Sequence, residues 1–510
     1  MTAGQKNNAG SARTAATTSW ERRLFWCVFF LWNAALLIPA AALRDPFFTR
    51  IRPELFCALS LYSFTQFFAI VFVFVCNARR PVTFRDADGV NIRRIVVLIL
   101  AVLIFALARE SETRHANIRA RVLNTPGPVL AQVGSHFIVG YQDPQFVYDL
   151  IAHDALGGVF ITHHNVRGKS TTQIAAEIAE FQTRRAARKQ PPLWIATDQE
   201  GGGVSRLSPP LTRQPFLSTL LPSELKPTDL AEARARADLA RTIRQYAQTQ
   251  GRALSDLGVN VNFAPVADLR FEAAEKTNPA MRWMDAFSRI ESRAIHRDPA
   301  VVAFVAGEYA RGLGVERVYA TLKHFPGLGR VAADTHWFSA AVPVAPNTLQ
   351  RSDWIPFRAV TELQNVAPKF ERIADTALIP WIMLGHAQVP AIDPEFAASH
   401  SKKIVTEILR RQWKYDGVLI TDDYNMRPIM LSPGGMGGAA VRALNGGVDL
   451  ILISYDGENV YPVLEAVLNA RANGTLNQIA LARSEDRLRK AMKDLQTQNV
   501  PAREIADGGM

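Results

Sequence analysis

Three long apolar runs open the chain, and after them the spacing of apolar residues changes character. Residues 24–43 and 55–76 are each about 20 residues long and carry no charge, enough to cross a bilayer as a helix. A third run, residues 95–108, is shorter, and extending it backward would bury Arg93 and Arg94. A span that short thins the bilayer or lets its flanking arginines snorkel. From residue 130 onward, short apolar runs alternate with amphipathic stretches. The runs cover residues 135–141, 157–162, 193–197, 259–265, 318–322, 381–385, 417–421 and 449–454. Between them lie helical patterns such as residues 230–257, with Ala, Leu, Ile and Tyr on one stripe and arginines opposite. Gly258 is placed to close that helix.

Strands that are apolar throughout and alternate with helices predict a parallel sheet covered on both faces. Eight such units fit a closed (β/α)8 TIM-like barrel better than an open doubly wound sheet, the alternative architecture. The pattern divides the chain into a tail over residues 1–23, a membrane region over 24–108 with two or three transmembrane helices, and a linker over 109–129. A barrel domain follows over residues 130–500, then a second tail over 501–510. Residues 205–226 and 340–375 contain prolines and little periodicity, so they read as long loops after strands.

The net charge of +11 raises the question of nucleic acid. The lysines and arginines are scattered along helices and beside the apolar runs, with no basic run interleaved with aromatics. The expected partners are therefore anionic lipid or an acidic cell-wall polymer, not nucleic acid. Cys27, Cys57 and Cys76 all lie in the apolar runs, which leaves the barrel without a thiol for a disulfide or a metal. Arg22 and Arg23 precede the first run, and Arg79, Arg80, Arg85, Arg93 and Arg94 separate the second from the third. Such clusters favour the cytoplasmic face. Three spans then carry the barrel out of the cytoplasm, and two leave it inside.

Barrel enzymes work at the C-terminal ends of their strands, and the chemistry-bearing residues fall there. Asp198 follows the third run, Asp268 the fourth, Lys323 and His324 the fifth, His386 the sixth, and Asp422 and Asp423 the seventh. A carboxylate aimed over the barrel mouth can attack an anomeric carbon. It can also merely cap a helix. Neighbouring strand residues point to opposite sides, so Asp422 is assigned to attack and Asp423 to capping. Asp334 and His336 supply the complement, a proton for the departing sugar oxygen from an imidazole that a carboxylate orients. The bland reading is a structural Asp–His pair on a mobile loop. A metal on His324, Asp334 and His336 is a further alternative, and it lacks a helical ligand spacing. Asp198, Arg206, Arg293, Lys323 and His324 offer the hydroxyl and carbonyl partners that fix a sugar ring. Ser352-Asp353-Trp354 has no strand leading into it and reads as a helix start.

These motifs resemble the β-N-acetylglucosaminidases of glycoside hydrolase family 3 over roughly residues 130–490. The likeness rests on Asp198-Gln-Glu-Gly-Gly with Val204-Ser-Arg206, on Asn262-Phe-Ala-Pro-Val-Ala-Asp268, and on Arg293 with Asp298-Pro299. Lys323-His-Phe-Pro-Gly-x-Gly with Asp334-Thr-His336, and Thr421-Asp422-Asp423-Tyr-Asn-Met426, complete it. The resemblance implies a retaining double displacement without a cofactor. In it Asp422 is the nucleophile, and His336 with Asp334 forms the acid/base dyad on a flexible loop. Asp198, Arg206, Arg293, Lys323 and His324 hold N-acetylglucosamine. It points to an exo-β-N-acetylhexosaminidase of the single-domain bacterial branch, acting on peptidoglycan-derived or similar glycans. The alternatives are a sugar-sensing membrane protein on the same barrel and a glycosidase for another β-linked sugar. Leu328 stands where the family usually has His, and Gly203 where it usually has Arg. The membrane region is a further departure, and it implies an inner-membrane protein with an extracytoplasmic barrel.

Overall fold

The computed structural model describes residues 9–43, 45, 51–77, 87–222, 225–271, 289–331, 334–359 and 378–497. The expected tail over 501–510, Arg79, Arg80 and Arg85, and the later part of the 340–375 loop lie outside the described residues. The chain forms two compact units, Met1–Arg119 and Ala120–Met510.

The first unit is helical: α1 (Ala9–Ala42), α2 (Arg52–Asn77) and α3 (Ala87–Leu123). The three pack through Ala40 from α1 and Leu43 just after it, Leu59 from α2, and Ile104 and Ala108 from α3. Some of the polar groups inside this bundle meet partners. The Tyr62 hydroxyl donates to Asn33 Oδ1 at 3.0 Å, and the Ser111 hydroxyl donates to the Leu43 carbonyl at 2.9 Å. Arg52 pairs with Glu112 at 2.6 Å. The end of α1, the start of α2 and residues 108–112 of α3 therefore share one end of the bundle, an up-down-up course. Two or three spans were expected. Among the described residues one helical stretch is long and apolar enough by itself, Arg52–Phe72, and the apolar part of α1, Cys27–Ala42, is shorter. Beyond its apolar part, α3 stays helical to Leu123, into the expected linker.

The second unit is a closed barrel of eight parallel strands: β1 (Phe137–Gly140), β2 (Gly158–Ile161), β3 (Trp194–Thr197), β4 (Val261–Asn262), β5 (Tyr319–Phe325), β6 (Trp381–Leu384), β7 (Leu419–Asp423) and β8 (Leu450–Ile453). Each strand pairs with its sequence neighbours, and β1 closes on β8 with Ile138 opposite Leu452. The barrel is the predicted one, not the open sheet. All eight apolar runs became strands because strands buried on both faces have no polar side to show. The predicted helix over 230–257 is Ala233–Asp256, and Gly258 follows its cap at φ +89°.

Large side chains fill the barrel interior. Trp194 and Trp381 meet edge to face at 4.9 Å, and Phe160 stacks on Phe263 at 5.5 Å. The helix Gln478–Thr497 closes the N-terminal end with Leu488, Met492 and Leu495, and its Ala491 carbonyl accepts the Tyr319 hydroxyl at 2.8 Å. At that end the buried Asp449 pairs with Arg410 at 2.5 Å and Arg487 at 2.8 Å. Burial would raise this carboxyl, but the two guanidiniums hold it below its ordinary range. This end of the barrel is built for stability, which leaves the C-terminal end for a site.

Candidate active site

Two strands are irregular where they reach the rim. Between β5 and β6, Leu322 faces Ile382 while Phe325 faces Leu384, so three steps on β5 match two on β6. Between β7 and β8, Ile420 faces Leu450 while Asp423 faces Leu452, the same mismatch. Each is a β-bulge, which inserts one residue and re-aims side chains. The bulges contain Lys323-His324 and Thr421-Asp422. The Thr421 hydroxyl accepts the Leu452 N–H at 3.1 Å, replacing a ladder bond that the bulge displaces.

The β5 bulge sends both of its side chains to carboxylates. Lys323 Nζ lies 2.7 Å from Asp198 Oδ1 and 2.6 Å from Glu200 Oε1. Arg293 grips Glu200 with two bonds, Nε to Oε2 at 2.9 Å and the terminal nitrogen to Oε1 at 2.6 Å. Burial opposes charge on Glu200, yet Arg293 and Lys323 overcome it and drive its pKa far below the usual carboxylate range. His324 Nδ1 meets Asp268 Oδ2 at 2.7 Å, and Asp268 also accepts the His324 and Leu328 N–H groups. Leu328 itself is buried. Leu328 therefore contributes its backbone donor to Asp268, and its side chain faces protein.

The loop after β5 then carries Asp334 and His336. Asp334 is fully buried, and its Oδ1 accepts both the His336 N–H at 2.9 Å and the His336 Nδ1–H at 2.7 Å. The ring is thereby fixed with Nε2 on the side away from Asp334. The His336 carbonyl accepts the Arg427 N–H at 2.9 Å, which ties this loop to the one after β7. Upstream, Arg330 pairs with the buried Asp353 at 2.8 Å and lies over the Phe271 ring at 4.4 Å. Ser352-Asp353-Trp354 is thus an anchor: these residues form the turn before helical residues 355–359, the expected helix start. Gly327 at φ +109° fits under it, where a Cβ would come within 2.9 Å of the Asp353 Cβ.

Asp422, the penultimate residue of β7, is half-buried. Burial would raise its carboxyl, but the nearby His324, His386 and His336 and the Asp423 N–H at 2.8 Å together hold it below its ordinary 3.8. Partial burial disfavours the imidazolium of His336. The Asp334 hydrogen bond and the Asp422 and Asp334 charges outweigh this and raise its pKa above the ordinary 6.5. His386 is buried, with Nε2 on the Asp423 carbonyl at 3.0 Å and Nδ1 on the Ser399 hydroxyl at 2.9 Å. Burial lowers its pKa. A carbonyl only accepts, so the neutral ring carries its proton on Nε2.

Asp423 corrects the sequence reading. It does not cap the next helix, whose N-cap is Met426 without a side-chain bond. Its carboxylate instead accepts from Ser454 N, Ser454 Oγ, Tyr455 N and Asn425 N, binding the end of β7 to the loop after β8. The structure brings Asp198, Arg293, Lys323, His324, Asp334, His336 and Asp422 to one rim. Arg206 is there by its backbone, donating its N–H to the Asp198 carbonyl, with its side chain exposed outside the ion-pair cluster. Gly203 is exposed nearby, where a Cβ would meet one Phe216 ring atom at 3.9 Å. The sequence reading gives Glu200 no place in the site, and it puts Asp268 and His386 at strand ends without a role. Glu200 and Asp268 hold Lys323, Arg293 and His324, and His386 bonds the Asp423 carbonyl beside Asp422.

A closed parallel barrel whose C-terminal rim gathers carboxylates, histidines and two buried cations defines an enzyme for a compact, hydrogen-bonding substrate. Residues 130–491 match the glycosyl hydrolase family 3 N-terminal domain. The chain belongs to that family and is a glycoside hydrolase. It is 33% identical over 325 residues to a beta-hexosaminidase of Xanthomonas oryzae pv. oryzae, covering 64% of this chain and 84% of that one. A beta-hexosaminidase of Nitrosomonas eutropha is 31% identical over 317 residues, 62% of this chain and 79% of its own. Among solved structures, the family 3 beta-N-acetylglucosaminidase from Paenibacillus sp. FPU-7 superposes with a TM-score of 0.60 at 29% identity. That match covers 74% of this chain and 65% of the Paenibacillus one. A family 3 member from Mycobacterium smegmatis matches with a TM-score of 0.57 at 28% identity, over 72% of this chain and 98% of that one.

Proposed function

We propose that the protein is a retaining exo-β-N-acetylhexosaminidase that removes terminal β-linked N-acetylglucosamine from cell-wall-derived or similar glycans. One observation carries this reading. The Asp334–His336 pair sits on a loop tied through Arg427 to the loop that follows Asp422, and the surrounding groups favour an ionised Asp422 and a protonated His336. A double displacement needs those two states at its outset. Asp422 attacks C1 and forms the glycosyl-enzyme while His336 gives its proton from Nε2 to the departing oxygen. The neutral imidazole then takes a proton from the water that releases the sugar. Asp334 fixes the ring's tautomer and supports the imidazolium. Asp198, Arg206, Arg293, Lys323 and His324 bind the hydroxyl and carbonyl groups of the sugar, and Glu200 and Asp268 position Lys323, Arg293 and His324. The names of the bacterial relatives support the choice of sugar.

Hydrolysis of a chromogenic β-N-acetylglucosaminide is compared with that of the matching β-glucoside, in the wild type and in Asp422→Ala. The expected result is turnover of the first substrate only, abolished in the variant while the sugar still binds. Turnover of the glucoside alone would reassign the substrate, and binding without turnover in the wild type would favour the sensing role.

The membrane reading is proposed alongside: α1–α3 cross a bacterial inner membrane and leave the barrel on its extracytoplasmic side. Each helix turns large apolar residues outward, among them Leu31 and Trp32 on α1, Phe68 and Phe72 on α2, and Ile99 and Val102 on α3. An up-down-up bundle fits that orientation, since Arg22 and Arg23 precede the first apolar run and Arg93 and Arg94 the third.

A further inference from the structure

Six large hydrophobic side chains from residue 120 onward are exposed among the described residues: Val315, Trp337, Phe338, Leu431, Tyr455 and Ile479. Val315 ends the helix Pro299–Val315, and Ile479 lies in the helix that closes the N-terminal end of the barrel. The other four lie in the loops after β5, β7 and β8, and they include every exposed aromatic of the set. Trp337 is 42% exposed while Trp194, Trp354 and Trp381 are buried. Exposed aromatics gathered at one place mark a binding surface, whereas singly scattered ones do not.

Their position relative to the chemistry is specific. The Asp334 carbonyl accepts the N–H groups of both Trp337 and Phe338, so His336, Trp337 and Phe338 share one tight turn. Tyr455 donates its N–H to Asp423, the neighbour of Asp422. Leu431 donates its N–H to the carbonyl of Arg427, whose own N–H holds the His336 carbonyl. The mouth is thus two-sided. The arc on β3, β4 and β5 carries Asp198, Glu200, Arg293, Lys323 and His324, and the arc on β5, β7 and β8 carries the exposed aromatics. An acid delivers its proton to the bond between sugar and leaving group, so whatever lies beyond that bond lies on the side of His336.

Resting on the hexosaminidase reading, we propose that Trp337, Phe338 and Tyr455 form the leaving-group subsite and take a ring with an apolar face, a second pyranose. The C–H face of such a ring packs on an aromatic surface, while the polar arc holds the hydroxyl-rich sugar that is transferred.

The test uses two substrates of the full-length protein: a β-1,4-linked N-acetylglucosamine disaccharide, and β-N-acetylglucosaminyl fluoride, whose leaving group has no ring. The readout is the ratio of their kcat/KM values. Trp337→Ala and Tyr455→Ala are expected to lower the ratio of disaccharide to fluoride, by on the order of tenfold for Trp337. Trp337→Phe recovers most of it. The alkaline limb of the pH profile stays in place, which separates lost stacking from a displaced His336. An unchanged ratio in both alanine variants, or a limb that moves with Trp337, overturns the subsite. Failure of the wild type to hydrolyse either substrate would instead remove the hexosaminidase reading on which the subsite stands.

Discussion

Asp422 and His336 each favour the charged form of the other, so the pH dependence of turnover carries their signature. Asp422 must be ionised, and activity is lost as pH falls through its lowered pKa. His336 must be protonated, and activity is lost as pH rises through its raised one. The kcat/KM profile is therefore expected to fall off on the acid side below 3.8 and on the alkaline side above 6.5. Asp334→Asn removes the negative charge, and with it the charge assistance to the hydrogen bond, that raises His336. Its alkaline limb should move to lower pH, with kcat down by roughly 10²–10⁴-fold. A limb that stays put would mean that another group supplies the proton. That Asp422, Asp334 and His336 lie at one rim was legible in the sequence, because each follows an apolar strand run at its C-terminal side. The part of Glu200 was not. It lies inside a motif read for Asp198 and the glycines, and its partners Arg293 and Lys323 come from distant strand ends that meet only when the barrel closes.

The elements were legible to the extent that hydrophobic pattern defines them. Eight apolar runs gave eight strands, yet strict alternation along a strand did not anticipate the bulges at Lys323-His324 and Thr421-Asp422. A bulge comes from pairing across two strands, and one strand's sequence does not show it. Asp423 was misread for a similar reason: its partners Ser454 and Tyr455 belong to the loop after the next strand. The loop bearing His336 gains its upstream anchor from Arg330 and Asp353. Arg330→Ala leaves the buried Asp353 carboxylate without its cation. Chemical denaturation should show a loss of about 2–3 kcal/mol, below the cost of a fully buried pair because Arg330 keeps some solvent contact. An unaltered midpoint and slope would show that the anchor contributes nothing.

At the scale of the whole molecule, the sequence announced an apolar helical region and a barrel, and the structure forms both as separate compact units. The number of crossings was the harder question, since the apolar part of α3 is short and its ends are charged. The bundle's common core adds what composition lacks, a reason for α3 to run with α1 and α2. A carboxyl-terminal fusion decides the matter: an alkaline phosphatase reporter should be active in cells and a cytoplasm-dependent fluorescent one dark. The reverse pair of signals would place the barrel in the cytoplasm and reduce the crossings to two.

The central claim is that Asp422 becomes covalently joined to the sugar while His336 serves the leaving group. A slowly released fluorinated N-acetylglucosaminide, followed by digestion and peptide mass analysis, tests it most directly. One fluoro-N-acetylhexosaminyl adduct is expected on the peptide containing Asp422, absent from Asp422→Ala and cleared from the wild type as turnover resumes. An adduct on a different carboxylate, or normal turnover in Asp422→Ala, would contradict the account.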